Sequence, residues 1–146
     1  MLEPLVQLLL RDVSKMQDEL RLYEREALIW KTTEGISNSA GNLALHVAGN
    51  LQHFIGAVLG QSGYVRQREL EFSSKDVPVE EVIAALERAK EAVSNTIQKL
   101  DREVLSAPYP VPVFGDGMTT AFFLMHLLTH TSYHLGQINY HRRLVH

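Results

Sequence analysis

The chain has 146 residues, a length that fits one domain, 1–146, with one hydrophobic core. It is 45% hydrophobic and 21% charged, and 14 Lys+Arg against 17 Asp+Glu leave a formal charge of −3; this excludes the basic face that general nucleic-acid or membrane-surface binding requires. Cysteine is absent, which excludes disulfides, thiolate metal ligands and a cysteine nucleophile, so any thiol chemistry must draw its thiol from a second molecule.

The start, Met1-Leu2-Glu3-Pro4, has no basic stretch of the signal-peptide kind, and no apolar run is long enough to span a bilayer. A cytoplasmic protein is the expectation. The first helix is predicted over about 5–30, where Leu5, Leu8, Leu9, Val13, Met16, Leu20 and Tyr23 recur at three- and four-residue steps. A polar stretch with Gly35, 31–39, reads as a loop.

The second helix, about 40–61, is nearly uncharged and apolar almost all round, which predicts a deeply packed element. Three internal glycines, Gly49, Gly56 and Gly60, each weaken a helix by about 1 kcal/mol relative to alanine. They also admit a close neighbour. The polar connection 61–77 carries Arg66, Arg68 and Phe72 and is long for a compact fold, a length often tied to function. Asp76 is the predicted N-cap of the third helix, with Pro78 just inside it and Glu80 and Glu81 in the first turn. That helix runs to about residue 100. The prolines 108, 110 and 112 and glycines 115 and 117 then mark an irregular segment with a short extended piece at 109–114. The fourth helix begins at Thr119 or Thr120 and continues to about residue 144. Four amphipathic helices with long connections predict an all-α four-helix bundle, a fold that builds metal sites from facing side chains.

The histidines supply the chemistry. His126, His130 and His134 step along one face of the fourth helix at four-residue spacing, and His46, Asn50 and His53 share a face of the second. Neutral imidazole suits Zn²⁺, Ni²⁺ or Fe²⁺, and three histidines leave a coordination position open. His130, His134 and His46 are the predicted metal ligands. Gln137, one turn beyond His134, and Asn50, beside His46, are placed to orient a ligand or a bound water. Gly136 leaves room for another backbone or a substrate. His126 belongs to the same stripe as a pocket or packing residue; His53 is read as structural, and His141 and His146 as surface or frayed-end residues. Arg66 and Arg68 are candidates for an anionic substrate, although a solvated loop with ordinary surface charge is the preferred reading of both.

Other chemistries lack their residues. There is no His-Glu-x-x-His and no glutamate one turn before each histidine, which removes the helical metalloprotease and di-iron patterns. Gly115-Asp116-Gly117 is too short for a phosphate loop and reads as a turn. Ser132 is a small packing residue rather than a nucleophile.

At two stretches the chain resembles the DinB-like family of metal-binding four-helix bundles. One is Asn38-Ser39-Ala40-Gly41-Asn42-Leu43-Ala44-Leu45-His46-Val47-Ala48-Gly49-Asn50-Leu51, the other His130-x-x-x-His134-x-Gly136-Gln137-Ile138. The linker Arg66-Gln67-Arg68-Glu69-Leu70-Glu71-Phe72 resembles a poorly characterised branch of it. The resemblance covers nearly the whole chain. It implies up-down-down-up helices with a long crossover between the second and third, and a divalent metal on His46, His130 and His134. It also implies a homodimer and, in some relatives, transfer or isomerisation of a small electrophile with a low-molecular-weight thiol such as bacillithiol or mycothiol. Many relatives carry a basic residue where this chain has Leu135. The resulting expectation is a metal-dependent thiol transferase or isomerase acting on a small-molecule substrate; the alternative is a metal-binding or stress-related interaction protein without turnover. Surplus apolar residues of the first helix, with Ile138, Leu144 and Val145, also point to a homodimer.

Overall fold

The computed structural model describes residues 2–146, and among these every regular element is helical. Four helices are long: α1 (Leu2–Arg21), α2 (Ala40–Leu51), α4 (Val79–Ile97) and α6 (Thr120–Leu144). Two are short, α3 (Arg68–Ser73) and α5 (Arg102–Ser106). The expected extended piece at 109–114 forms no strand; the segment holds only isolated bridges, Pro108 to Thr119 and Val113 to Gly115. No helix is long and apolar enough to cross a membrane.

Helix α1 packs on α4 and α6, and α2 packs on the same two from the other side. Their apolar stripes meet in one cluster that includes Leu9, Met16, Leu51, Ile55, Leu86, Ile97, Phe123 and Leu127, each almost wholly buried. Each such side chain contributes about 1.5–3 kcal/mol of burial. Polar ties add direction. Glu19 on α1 accepts from Asn139 and Arg142 on α6 at 2.7 and 2.6 Å. Ile138 and Val145 lie inside the cluster, so of the three C-terminal apolar residues only Leu144 remains exposed for a partner.

Helix boundaries differ from expectation where a tertiary contact overrides the local pattern. The first helix stops at Arg21 rather than continuing to Trp30; the apolar residues Leu28, Ile29 and Trp30 are still buried, but on a 3₁₀ turn, Glu26–Trp30. Trp30 lies against Gly41, where a β-carbon would collide with the indole ring. Asp76 is not an N-cap: it sits at φ +55°, and the α4 helix starts after Pro78. The exposed Val79 N–H donates instead to Glu26 Oε1 of the 3₁₀ turn at 2.6 Å. Ser39 and Thr119 do cap α2 and α6, accepting from Asn42 N and Phe122 N. After Leu51 the second helix widens into a π-turn, Gln52–Ala57, a form frequent beside functional sites. There the Tyr109 hydroxyl donates to the Phe54 carbonyl at 2.6 Å.

The connection 61–77 is not a bare loop. It folds into α3, which is laid on α2 and pinned by Asn42, whose amide donates to the carbonyls of Glu71 and Ser74 at 3.0 and 2.8 Å. This strap positions the site described next.

Candidate metal centre

Helices α2 and α6 cross so that His46, His130 and His134 converge. His46 Nε2 stands 3.2 Å from His130 Nε2, and His134 Nε2 stands 3.1 Å from it. All three ligand atoms lie within 4.8 Å of one another. Nitrogens bound at 2.0–2.1 Å to one ion would stand about 2.9–3.4 Å apart, depending on whether the angle is nearer octahedral or tetrahedral. The two distances fall inside that range.

Proton placement makes the arrangement informative. His46 Nδ1 lies 3.0 Å from Glu71 Oε1. Glu71 is buried, and burial alone would raise its carboxyl pKa; hydrogen bonds from His46 and Arg66, with the Arg66 charge, overcome this and lower it. An ionised carboxylate only accepts, so His46 Nδ1 carries the proton and Nε2 keeps its lone pair. His134 Nδ1 donates in the same way to Gln137 Oε1 at 2.7 Å, leaving its Nε2 lone pair free. Both lone pairs face His130 Nε2. A neutral His130 has one proton to offer and cannot satisfy both. His130 cannot charge easily either: burial first, then the neighbouring His134, His46 and His126 rings and Arg66, push its pKa down to about 3. His134 is also held low by burial, partly restored by the Gln137 bond. Three lone-pair-bearing nitrogens aimed at one point fit a cation better than they fit each other.

Behind His46 the support is layered. Arg66 grips Glu71 with two parallel bonds, Nε to Oε2 and Nη2 to Oε1, both 2.9 Å. The Arg66 guanidinium lies 5.6 Å from the Phe54 ring centre, and the Phe72 ring lies 4.8 Å from that of His46. Gly49 makes this possible: a β-carbon there would collide with the Glu71 carboxylate. The internal glycine of α2 thus admits a side chain from the strap.

The other expected residues divide. Gln137 bonds a ligand as expected. Asn50 is buried but makes no bond to His46, and its Oδ1 has no partner. His126 packs against Phe123 and Phe114, with ring centres 5.7 and 4.7 Å away, and does not join the cluster. Arg68 is exposed over Phe72, its guanidinium 5.2 Å from that ring centre. Gly136 faces open space, so no backbone of this chain uses it for close approach. His141 is not a surface residue: it is 3% exposed, accepts at Nδ1 from the Tyr23 hydroxyl at 2.6 Å, and donates from Nε2 to the Lys31 carbonyl at 2.7 Å. Sequence reasoning missed Glu71 and the pairing role of Arg66. The available signal was the unexplained Gly49 in a helix opposite a strap carrying both an acid and a base.

Fold and site together define an all-helical protein whose three clustered histidines could hold a metal ion. Residues 5–146 match the family model described as "Protein of unknown function (DUF1572)", and the chain belongs to that family. No curated protein matches the chain.

Proposed function

We propose that this chain is a DinB-like four-helix bundle that binds one divalent cation, Zn²⁺, Ni²⁺ or Fe²⁺, on His46, His130 and His134, and uses it in thiol-dependent transfer or isomerisation of a small electrophile. The observation that carries the reading is the convergence of three Nε2 atoms whose outer partners, Glu71 and Gln137, leave lone pairs pointing inward. A bound cation supplies Lewis acidity, lowering the pKa of a thiol or water delivered to the open position.

The chain's own residues do the rest. Glu71, held by Arg66, fixes the His46 tautomer and ring orientation. Gln137 does the same for His134. Phe72 packs on the His46 ring, and α3 is anchored through Asn42. Arg66 is committed to Glu71, so of the two arginines first considered for an anionic cosubstrate, Arg68 is the one left exposed beside the site. With no cysteine in the chain, the thiol is a second molecule. A homodimer accompanies this reading, supported by apolar side chains left exposed on α6: Phe122, Met125, Tyr133 and Leu144. Sedimentation as a monomer at all concentrations would overturn that part.

Elemental analysis of the purified protein tests the site. About one equivalent of metal is expected, lost in His46→Ala; a folded protein that takes up none of the three ions sinks the reading. The reaction is tested by incubating the loaded protein with bacillithiol or mycothiol and an epoxide. Conjugation no faster than with His130→Ala would leave a metal-binding protein without this turnover.

A further inference from the structure

Two buried polar atoms in the seam between α2 and α6 have no hydrogen-bond partner, Asn50 Oδ1 and His130 Nδ1. The two helices run antiparallel along this seam: His46 meets His130 and His134, and further along α2 Phe54 meets Phe123. Asn50 lies one turn from His46 and one turn from Phe54, so it stands opposite the α6 turn that leads into His130. It is 8% exposed. An orphaned buried acceptor costs about 1–3 kcal/mol, which is reason to ask what donor it awaits.

Resting on the three-histidine reading, we propose that Asn50 is a positioning residue whose Oδ1 accepts from His130 Nδ1–H, directly or through one enclosed water, when His130 Nε2 holds the cation. A ligating Nε2 must give its lone pair, so the ring proton sits on Nδ1 and requires an acceptor. His46 and His134 already have theirs, in Glu71 and Gln137. Asn50 completes the set, one outer acceptor for each ligand, drawn from α3, α6 and α2. The sense of the amide matters. Turned the other way, it would donate to Nδ1, move the proton to Nε2 and block the ligand.

Proton NMR of the Co²⁺-loaded protein tests this. Wild type is expected to show three paramagnetically shifted, exchangeable imidazole N–H lines, one per ligand. In Asn50→Leu one line should exchange with water and broaden, and Co²⁺ affinity should fall about 10- to 100-fold. Asn50→Asp can only accept, so it should keep all three lines and bind within about threefold of wild type or tighter. Circular dichroism checks the fold of each variant. Three unchanged lines with unchanged affinity in Asn50→Leu overturn the proposal, as does a folded Asn50→Asp that binds as weakly as Asn50→Leu. If folded wild type shows no shifted lines, the three-histidine reading fails and Asn50's role falls with it; three lines that ignore Asn50 sink only the latter.

Discussion

Helix α6 carries two histidine sites about three turns apart, His130 and His141, and they are built on opposite rules. At His141 both ring nitrogens have protein partners, Tyr23 on one side and the Lys31 carbonyl on the other, tying α6 to the segments that follow α1. At His130 neither rule of satisfaction is met: Nδ1 has no partner, and Nε2 faces two acceptor nitrogens. Both histidines are held neutral mainly by burial. The difference lies in what completes them. A satisfied buried polar group is structure; one satisfied only by something absent from the chain is a site.

The largest effects should separate the two sites cleanly. His134→Ala should lower metal affinity by about a hundredfold or more, equivalent to about 3 kcal/mol, because two imidazoles remain where three held the ion. The stability of the ion-free protein should change little, because lost packing is offset by removal of facing lone pairs. His141→Ala should do the reverse: metal affinity within about twofold, and a loss of about 2–4 kcal/mol in unfolding free energy from a cavity and an orphaned Lys31 carbonyl. Titration calorimetry and urea denaturation of both variants check the crossed pattern. Equal stability losses in the two would erase the distinction.

Next in size is the support behind His46. Glu71→Gln keeps the shape but gives up the charge, and should weaken metal binding about 10- to 100-fold. Gly49→Ala should fall in the same range without touching any ligand, because its methyl group displaces the Glu71 carboxylate. The substitution would otherwise favour the helix by about 1 kcal/mol, so weaker binding would not be a loss of helix propensity but a displacement of Glu71 and the strap that carries it. Competition against a metal-indicator dye reads both; a Gly49→Ala variant that binds like wild type means the strap yields.

Acid should act through the open site. With His130 at about 3 in the folded chain and about 6.5 when unfolded, the folded ion-free protein binds fewer protons between those values. Its stability is therefore full above about pH 6.5 and declines as pH falls toward 3. Burial lowers His141 as well, so that site contributes in the same direction. A bound cation competes with the protons, so melting curves of loaded and chelated protein should be furthest apart near neutrality and converge in acid. Parallel curves throughout would mean that the clustered nitrogens are not where the cation sits.

The sequence revealed the parts of this arrangement that follow helical periodicity. His130 and His134 declare a shared face by spacing, Gln137 follows one turn later, and the uncharged run around His46 marks a helix facing them. Glu71 was illegible because it reaches His46 from 25 residues away, on a short helix with no stripe of its own. Likewise the α4 start is held by Glu26, 53 residues upstream, so local capping rules chose Asp76 instead. His141 looked terminal because nothing in its neighbourhood announces Tyr23 as a partner. Periodicity reports which face is buried; it carries no record of which distant side chain arrives there.

The smallest expected effect concerns Arg68, whose position over Phe72 is exposed. Arg68→Ala should leave metal affinity and stability unchanged, the latter within about 0.5 kcal/mol, as for most surface substitutions. If an anionic thiol approaches across Phe72, the same variant should raise its KM roughly two- to fivefold, the scale of a single exposed charge pair worth up to about 1 kcal/mol. Added salt should shrink that difference, because the pair is screened. Steady-state kinetics at two ionic strengths distinguishes a recognition role from bulk packing on the ring: lost packing would persist in salt, whereas lost attraction would not. Unchanged KM in Arg68→Ala would place thiol recognition elsewhere.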